Sequence, residues 1–163
     1  MRNKKVLFVA QAALIAAIYV VLTYFISAFH LASGAVQVRV SEALTILPMF
    51  TPAAIPGLAI GCFLSNLLTG CLPMDVLFGS LATLLGAVGS YLLRKYKWLV
   101  PLPPVIANVL IVPFVLSYVY GAEGTIPFFM LTVGIGEVIS CYGLGSILIN
   151  ALLPYRNMIF KNN

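Results

Sequence analysis

Apolar residues run through this chain in stretches long enough to cross a membrane, interrupted by Pro and Gly more than by charge. The first stretch covers residues 6–29. It exceeds the roughly 20 residues that an α-helix needs to cross a hydrocarbon core about 30 Å thick. Arg2, Lys4 and Lys5 stand before it, as cations do in a secretory signal, but a signal core is only about 7 to 15 residues long. The stretch therefore reads as a span. Composition agrees: 62% of the 163 residues are hydrophobic and 8% are charged, against roughly 25% charged in a soluble domain, too little polar surface to clothe a soluble fold. The expected fold is an all-α integral membrane protein, a bundle of six transmembrane helices. No polar, Ser-rich or charge-rich linker divides it, so residues 1–163 are expected to form one domain.

Pro and Gly mark the element boundaries. Helices are expected over residues 6–29, 56–68, 75–93, 103–120 and 126–153, with a shorter segment over 41–50. Pro52, Pro56, Pro103 and Pro127 stand near helix starts, where a missing N–H costs nothing, and Pro113 predicts a kink. The segment 41–50 is short, because about ten residues at about 1.5 Å each reach only half of the core. Charge decides whether it crosses. If it does, every Lys and Arg except Arg39 lies on the cytoplasmic side; if it does not, the Arg94-Lys95-Lys97 cluster and the C-terminal tail move outside, against the positive-inside rule. Six crossings with both termini cytoplasmic follow, in a multi-pass protein of the cell membrane. Tyr96 and Trp98 then sit at the inner interface, Tyr118 and Tyr120 at the outer one. The net charge of +5 lies in these topology-setting clusters, so nucleic acid is not an expected partner and the lipid bilayer is.

This topology sorts the remaining polar residues. Arg39, Glu42, Asp75 and Glu123 fall at outer helix ends or in outer loops, making an acidic mouth. Glu137 lies about 16 Å from the outer end of the last helix at about 1.5 Å per residue, near the bilayer midplane. Insertion scales charge about 2.5 to 3.5 kcal/mol for Asp, Lys or Arg at such depth, so Glu137 should face the bundle interior and meet a partner or a ligand. Gly134 and Cys141 share its helix face, leaving space for a flat molecule; the alternative is a protonated Glu137 bonded to another helix. Asn108 reaches the same depth and either joins Glu137 in a polar floor or bonds helix to helix. Asp75, Gly79, Ala82, Thr83 and Gly86 line one helix face as pocket wall or as packing, and Asp75 serves as a ligand contact or as an N-cap. Arg39 and Glu42, three apart, are expected to pair with each other.

Ala12, Ala13, Ala16 and Ala17 form two small-xxx-small pairs on the first helix, a face on which another helix can dock closely. His30 has no Cys or second His nearby, and Cys62, Cys71 and Cys141 read as buried thiols, so neither a metal site nor a disulfide framework is expected. G-x-x-x-x-G-K-[ST], G-x-S-x-G, H-E-x-x-H and Cys-x-x-Cys are all absent. Neither enzyme activity nor a cofactor is expected, and uphill transport would need an ion gradient or an outside ATPase.

The run Gln37-Val-Arg-Val-Ser-Glu-Ala-Leu-Thr-Ile-Leu-Pro48, with Thr51-Pro-Ala-Ala-Ile-Pro-Gly57 and Asp75-Val-Leu-Phe-Gly-Ser-Leu-Ala-Thr-Leu-Leu85 after it, resembles the QueT family, and the likeness extends over nearly the whole chain. Proteins of that family are S components, the substrate-binding subunits of energy-coupling factor (ECF) vitamin transporters, associated with queuosine precursors. The resemblance implies six helices, an outward-opening pocket, and helix-1 alanines facing a transmembrane coupling subunit that carries two ATPases. It also implies a 7-deazaguanine ligand: pre-queuosine 1, pre-queuosine 0 or queuine. On that chemistry Glu137 accepts the ring N1–H and the exocyclic amine as a bidentate pair. Glu42 or Asp75 attracts an aminomethyl cation, Asn108 or Asn66 meets ring oxygen or nitrogens, and Phe78 stacks on the ring. Gln37 and Arg39 complete the candidate set. The other readings are a proton-coupled transporter that titrates Glu137, an S component for another vitamin, and a structural subunit with Glu137 as a strut.

Overall fold

The computed structural model describes residues 4–28 and 38–160. His30, Gln37, Arg2 and Lys161 lie outside the described residues. Every element among them is helical: α1 (Lys4–Ala28), a 3₁₀ helix (Val40–Met49), α2 (Ala54–Leu68), α3 (Pro73–Leu92), α4 (Leu102–Tyr118), α5 (Ile126–Glu137), a π-helical turn (Val138–Leu144) and α6 (Gly145–Leu152). A 3₁₀ turn (Leu153–Tyr155) and α7 (Arg156–Ile159) close the chain. Three stretches are long and apolar enough to cross a membrane, Lys4–Ser27, Pro73–Leu92 and Ile126–Tyr155, the last running unbroken through α5, the π turn and α6. Val40–Met49, Ala54–Leu68 and Leu102–Tyr118 are shorter apolar helices.

The segment that arithmetic finds too short turns out to be the hub. Ser41 through Pro48 are all buried, and the 3₁₀ helix touches α1, α2, α3, α6 and the π turn. A 3₁₀ helix rises about 2.0 Å per residue, so ten residues span about 20 Å rather than the 15 Å of an α-helix. Irregular backbone is tolerated at membrane depth only where protein surrounds it, and this helix is so surrounded. Around it the chain-adjacent pairs α1–α2, α2–α3, α3–α4 and α4–α5 pack together.

Small residues set the helix spacing. A Cβ on Gly57 would lie 2.7 Å from the carbonyl oxygen of Ala12, and one on Gly61 would lie 2.8 Å from Tyr19 Cβ and 3.1 Å from Ala16 Cα. Gly57 and Gly61, four apart, thus let α2 lie against α1 backbone to backbone. On α3, Gly86 does the same against Pro104, at 2.7 Å. Tyr19, Leu44, Ile46, Leu47, Leu58, Cys62, Val100 and Ile149 form the apolar core around the hub. Outside, Val6, Leu14, Leu67, Leu92 and Ile147 are each more than half exposed, an apolar surface that suits lipid and not water. Tyr96, Trp98 and Tyr118 are the large aromatics left most open on this surface.

Candidate solute-binding site

Beyond the apolar core, toward the N-terminal end of the 3₁₀ helix, the interior becomes polar. A cavity of about 400 Å³ opens there between α1, the start of the 3₁₀ helix, α2, α3 and α4, with Thr23, Arg39, Ser41, Asn66, Asp75 and Tyr120 among its polar lining. That volume lies within the range of small-molecule sites, roughly 300 to 1,000 Å³. Below it a chamber of about 10 Å³ is bounded by Arg39, Asn108, Val112, Val133 and Glu137. Arg39 and Val112 line both spaces, so they form the partition between them.

Each polar group is held by its own element. Asp75 lies in the first turn of α3, whose start at Pro73 leaves Leu72 in the capping position; Asp75 is therefore not the N-cap. Its Oδ2 accepts the hydroxyl of Tyr120 at 2.8 Å, and the same phenol oxygen accepts Leu72 N–H at 3.3 Å. The Tyr120 phenol is pushed up from its ordinary pKa, by burial first and then by donating to Asp75. Asn66 on α2 passes over Gly79 of α3, where a Cβ would lie 2.9 Å from its Nδ2. The small-residue stripe on α3 is thus packing, at Gly79 under the Asn66 side chain and at Gly86 against Pro104, while Asp75 at its head lines the cavity. Thr23 on α1 donates to Ser41 Oγ at 2.8 Å and ties α1 to the hub.

Arg39 shares the upper cavity with Asp75 and the lower chamber with Glu137. Glu137 and Asn108 do meet, as equal depth predicts: both are buried and both bound the lower chamber. Asn108 Nδ2 donates to Pro104 O at 3.1 Å, and the Cys141 thiol donates to Glu137 Oε2 at 3.4 Å. Gly134, in contrast, does not open space beside Glu137. A Cβ on Gly134 would meet Val109 Cγ2 at 3.4 Å, on the flank toward α4, because α5 turns Val133 and Gly136 inward instead.

Glu42 departs furthest from its expected place. It is not at the mouth but 1% exposed inside the bundle. Its Oε1 accepts the Tyr19 hydroxyl, and its Oε2 has no hydrogen-bond partner. The expected Arg39–Glu42 pair does not form, since Arg39 is extended backbone ahead of the 3₁₀ helix while Glu42 sits within its first turn. Arg39 instead acts electrostatically on Asp75, Glu42 and Glu137 together. Glu42, Glu137 and Cys141 present ligating atoms within 4.8 Å of one another, brought together by two departures from α-geometry, the 3₁₀ helix and the π turn. Residues of both carry side chains at this point, as π turns at functional sites often do.

Phe78 is not brought to the cavity. With Met74, Phe114 and Tyr118 it lines a separate apolar groove between α3 and α4 and is 41% exposed. The four alanines divide: Ala12 and Ala16 pack on Gly57 and Gly61, while Ala13 and Ala17 stay exposed. Tyr19, Ser41, Thr23 and Tyr120 were not foreseen. A tyrosine in mid-span is a signal that could have found Tyr19, because a buried phenol needs an acceptor.

Apolar helices around a cavity of solute size, apolar in the main with a few polar groups, define a helical membrane protein. The family model that matches residues 9–154 is that of the QueT transporter, and the chain belongs to that family. It is 34% identical over 98 residues to the queuosine precursor transporter QueT of Lactococcus lactis subsp. cremoris (strain MG1363), a match covering 60% of this chain and 57% of that relative. The match thus takes in little more than half of the relative's length. No solved structure matches the chain.

Proposed function

We propose that this chain is the substrate-binding S component of an ECF importer and that its cavity takes a queuosine precursor of the 7-deazaguanine class. The observation that carries the proposal is the cavity of about 400 Å³ lined by Arg39, Asn66 and Asp75 and continued past Arg39 to Asn108 and Glu137, in a member of a transporter family. The queuosine precursor named for the Lactococcus lactis relative supports the ligand class.

On this reading Glu137 accepts the N1–H and amine edge of the ring, where charge-assisted bonds are strongest. Asn108 and Asn66 meet the ring oxygen and nitrogens, and Asp75, nearer the mouth, draws a cationic 7-substituent. Six helices cross the membrane with both termini in the cytoplasm; a hub of about 20 Å supports a second crossing better than one of 15 Å would. The absence of a phosphate-binding loop leaves ATP hydrolysis to two ATPase subunits acting through a transmembrane coupling subunit. Ala13 and Ala17, exposed on α1, are the parts of the alanine face free to meet that subunit. Calorimetry on the purified chain in detergent, with pre-queuosine 1, pre-queuosine 0 and queuine in turn, tests the proposal. At least one should bind stoichiometrically; no binding by any of the three would sink it.

A further inference from the structure

Building on the reading of the cavity as a 7-deazaguanine site, we infer that Glu42 is a specificity-determining residue: together with Glu137 it reads the 2-amino group of the ring, so the ligand must carry a cyclic guanidine edge.

Glu42 is fully enclosed behind the chamber wall rather than in its lining, with Tyr19 donating to one carboxyl oxygen, the Thr83 hydroxyl nearby, and no hydrogen bond made by the other oxygen. A buried acceptor without a donor is rare in folded proteins and calls for a missing partner. The vacant oxygen belongs to a carboxyl that comes within 4.8 Å of an oxygen of Glu137. A planar NH₂ group directs its two hydrogens about 120° apart, so with bonds of about 2.9 Å it reaches two oxygens about 5 Å apart. A separation within 4.8 Å admits one amine bridging the two carboxyls. Glu137 takes the ring N–H and one amine hydrogen, and Glu42 takes the second amine hydrogen, a hydrogen that a single bidentate carboxyl leaves without an acceptor.

Arg39 explains how such an edge enters a chamber with room for about one water. It partitions the chamber from the main cavity, and its guanidinium carries the same planar fork of N–H donors as a cyclic guanidine. With Glu42 and Glu137 both acting on it electrostatically, Arg39 occupies the approach until the ligand edge turns it aside. A ring without the amine has nothing to give Glu42, and a site built to hydrogen-bond an NH rejects the analogue lacking it steeply.

The test is competition binding on the detergent-purified full chain with two neutral probes, 7-deazaguanine and 7-deazahypoxanthine, which differ only in the 2-amino group. The parent should prefer 7-deazaguanine by about a hundredfold or more. Glu42→Gln should narrow that preference to about tenfold or less by weakening 7-deazaguanine while leaving 7-deazahypoxanthine nearly unchanged. Equal binding of both probes by the parent overturns the inference and needs no variant to fold. Equal weakening of both by Glu42→Gln also overturns it, since that is how a residue that merely shapes the cavity behaves. Stoichiometric zinc retained by the parent and lost in Cys141→Ser overturns it in favour of a cation site. If the parent binds neither probe and none of the three precursors, the reading of the cavity itself fails and the inference falls with it; binding of a precursor without discrimination of the amine fails the inference alone.

Discussion

Replacing Gly61 by Ala adds one methyl group at a close approach between α1 and α2. The new carbon would stand 2.8 Å from Tyr19 Cβ and 3.1 Å from both the Cα and the carbonyl oxygen of Ala16. Backbone atoms cannot rotate away, so the helices must separate by several tenths of an ångström or more, and overpacking of this kind typically costs about 1 to 3 kcal/mol. Against it stands the intrinsic preference of a helix for Ala over Gly, about 1 kcal/mol. Gly143, in the π turn, controls for the Gly-to-Ala change itself, because a Cβ there meets nothing within 4 Å and Gly143→Ala reduces unfolded-chain entropy in the same way without the clash. Equilibrium unfolding of both variants in mixed detergent, followed by circular dichroism, should place Gly61→Ala about 1 to 3 kcal/mol below Gly143→Ala. The same displacement moves Tyr19 from Glu42, so Gly61→Ala should also bind 7-deazaguanine more weakly. A Gly61→Ala protein as stable as Gly143→Ala would refute the close approach of α1 and α2.

Glu137→Gln replaces an acceptor oxygen with an N–H₂ donor, and loss of a charge-assisted bond of about 1.5 to 3 kcal/mol should lower affinity roughly ten- to a hundredfold. Calorimetry should find the loss similar for pre-queuosine 1 and pre-queuosine 0, which share that ring edge; unchanged binding of both would remove Glu137 from the site. Ala13→Leu, on the exposed side of α1, should keep ligand binding yet abolish uptake in cells supplying the ATPase partners, whereas retained uptake would clear α1 as the docking face. In a background without the native cysteines, a cysteine at position 123 should react with an impermeant reagent from outside and one at position 95 should not, and the reverse pattern would contradict cytoplasmic termini.

Much of this was legible in the amino-acid pattern, for physical reasons that also mark where legibility stopped. Span lengths and Pro positions located α1 to α4, and the run from α5 through α6, to within a few residues, because apolar run length and missing N–H groups act locally. Equal depth brought Asn108 and Glu137 together, since a rise of about 1.5 Å per residue holds in any α-helix. That same ruler failed at residues 40–49, where the chain is 3₁₀, and so Glu42 was assigned to the mouth and paired with Arg39. The π turn carries no signature in Val138–Leu144, so nothing announced that Cys141 and Glu137 would converge on Glu42. Ala16 read as a partner-facing residue because a small-residue stripe does not say whether the helix it receives belongs to the same chain; Gly57 and Gly61, at matching spacing on α2, held that answer.

The 3₁₀ helix Val40–Met49 has almost no surface left for lipid, which bears on how the protein is made. A segment of about 20 Å, carrying an enclosed carboxyl, offers insertion machinery no free-standing hydrophobic stretch to release sideways into the bilayer. Its entry is an act of tertiary folding: α1, α2 and α3 must already be present to receive it, and the π turn, synthesised about a hundred residues later, supplies the last wall. Until that last helix arrives Glu42 has no finished enclosure, so the wall behind the cavity and the packed helices are completed in the same late step of biogenesis.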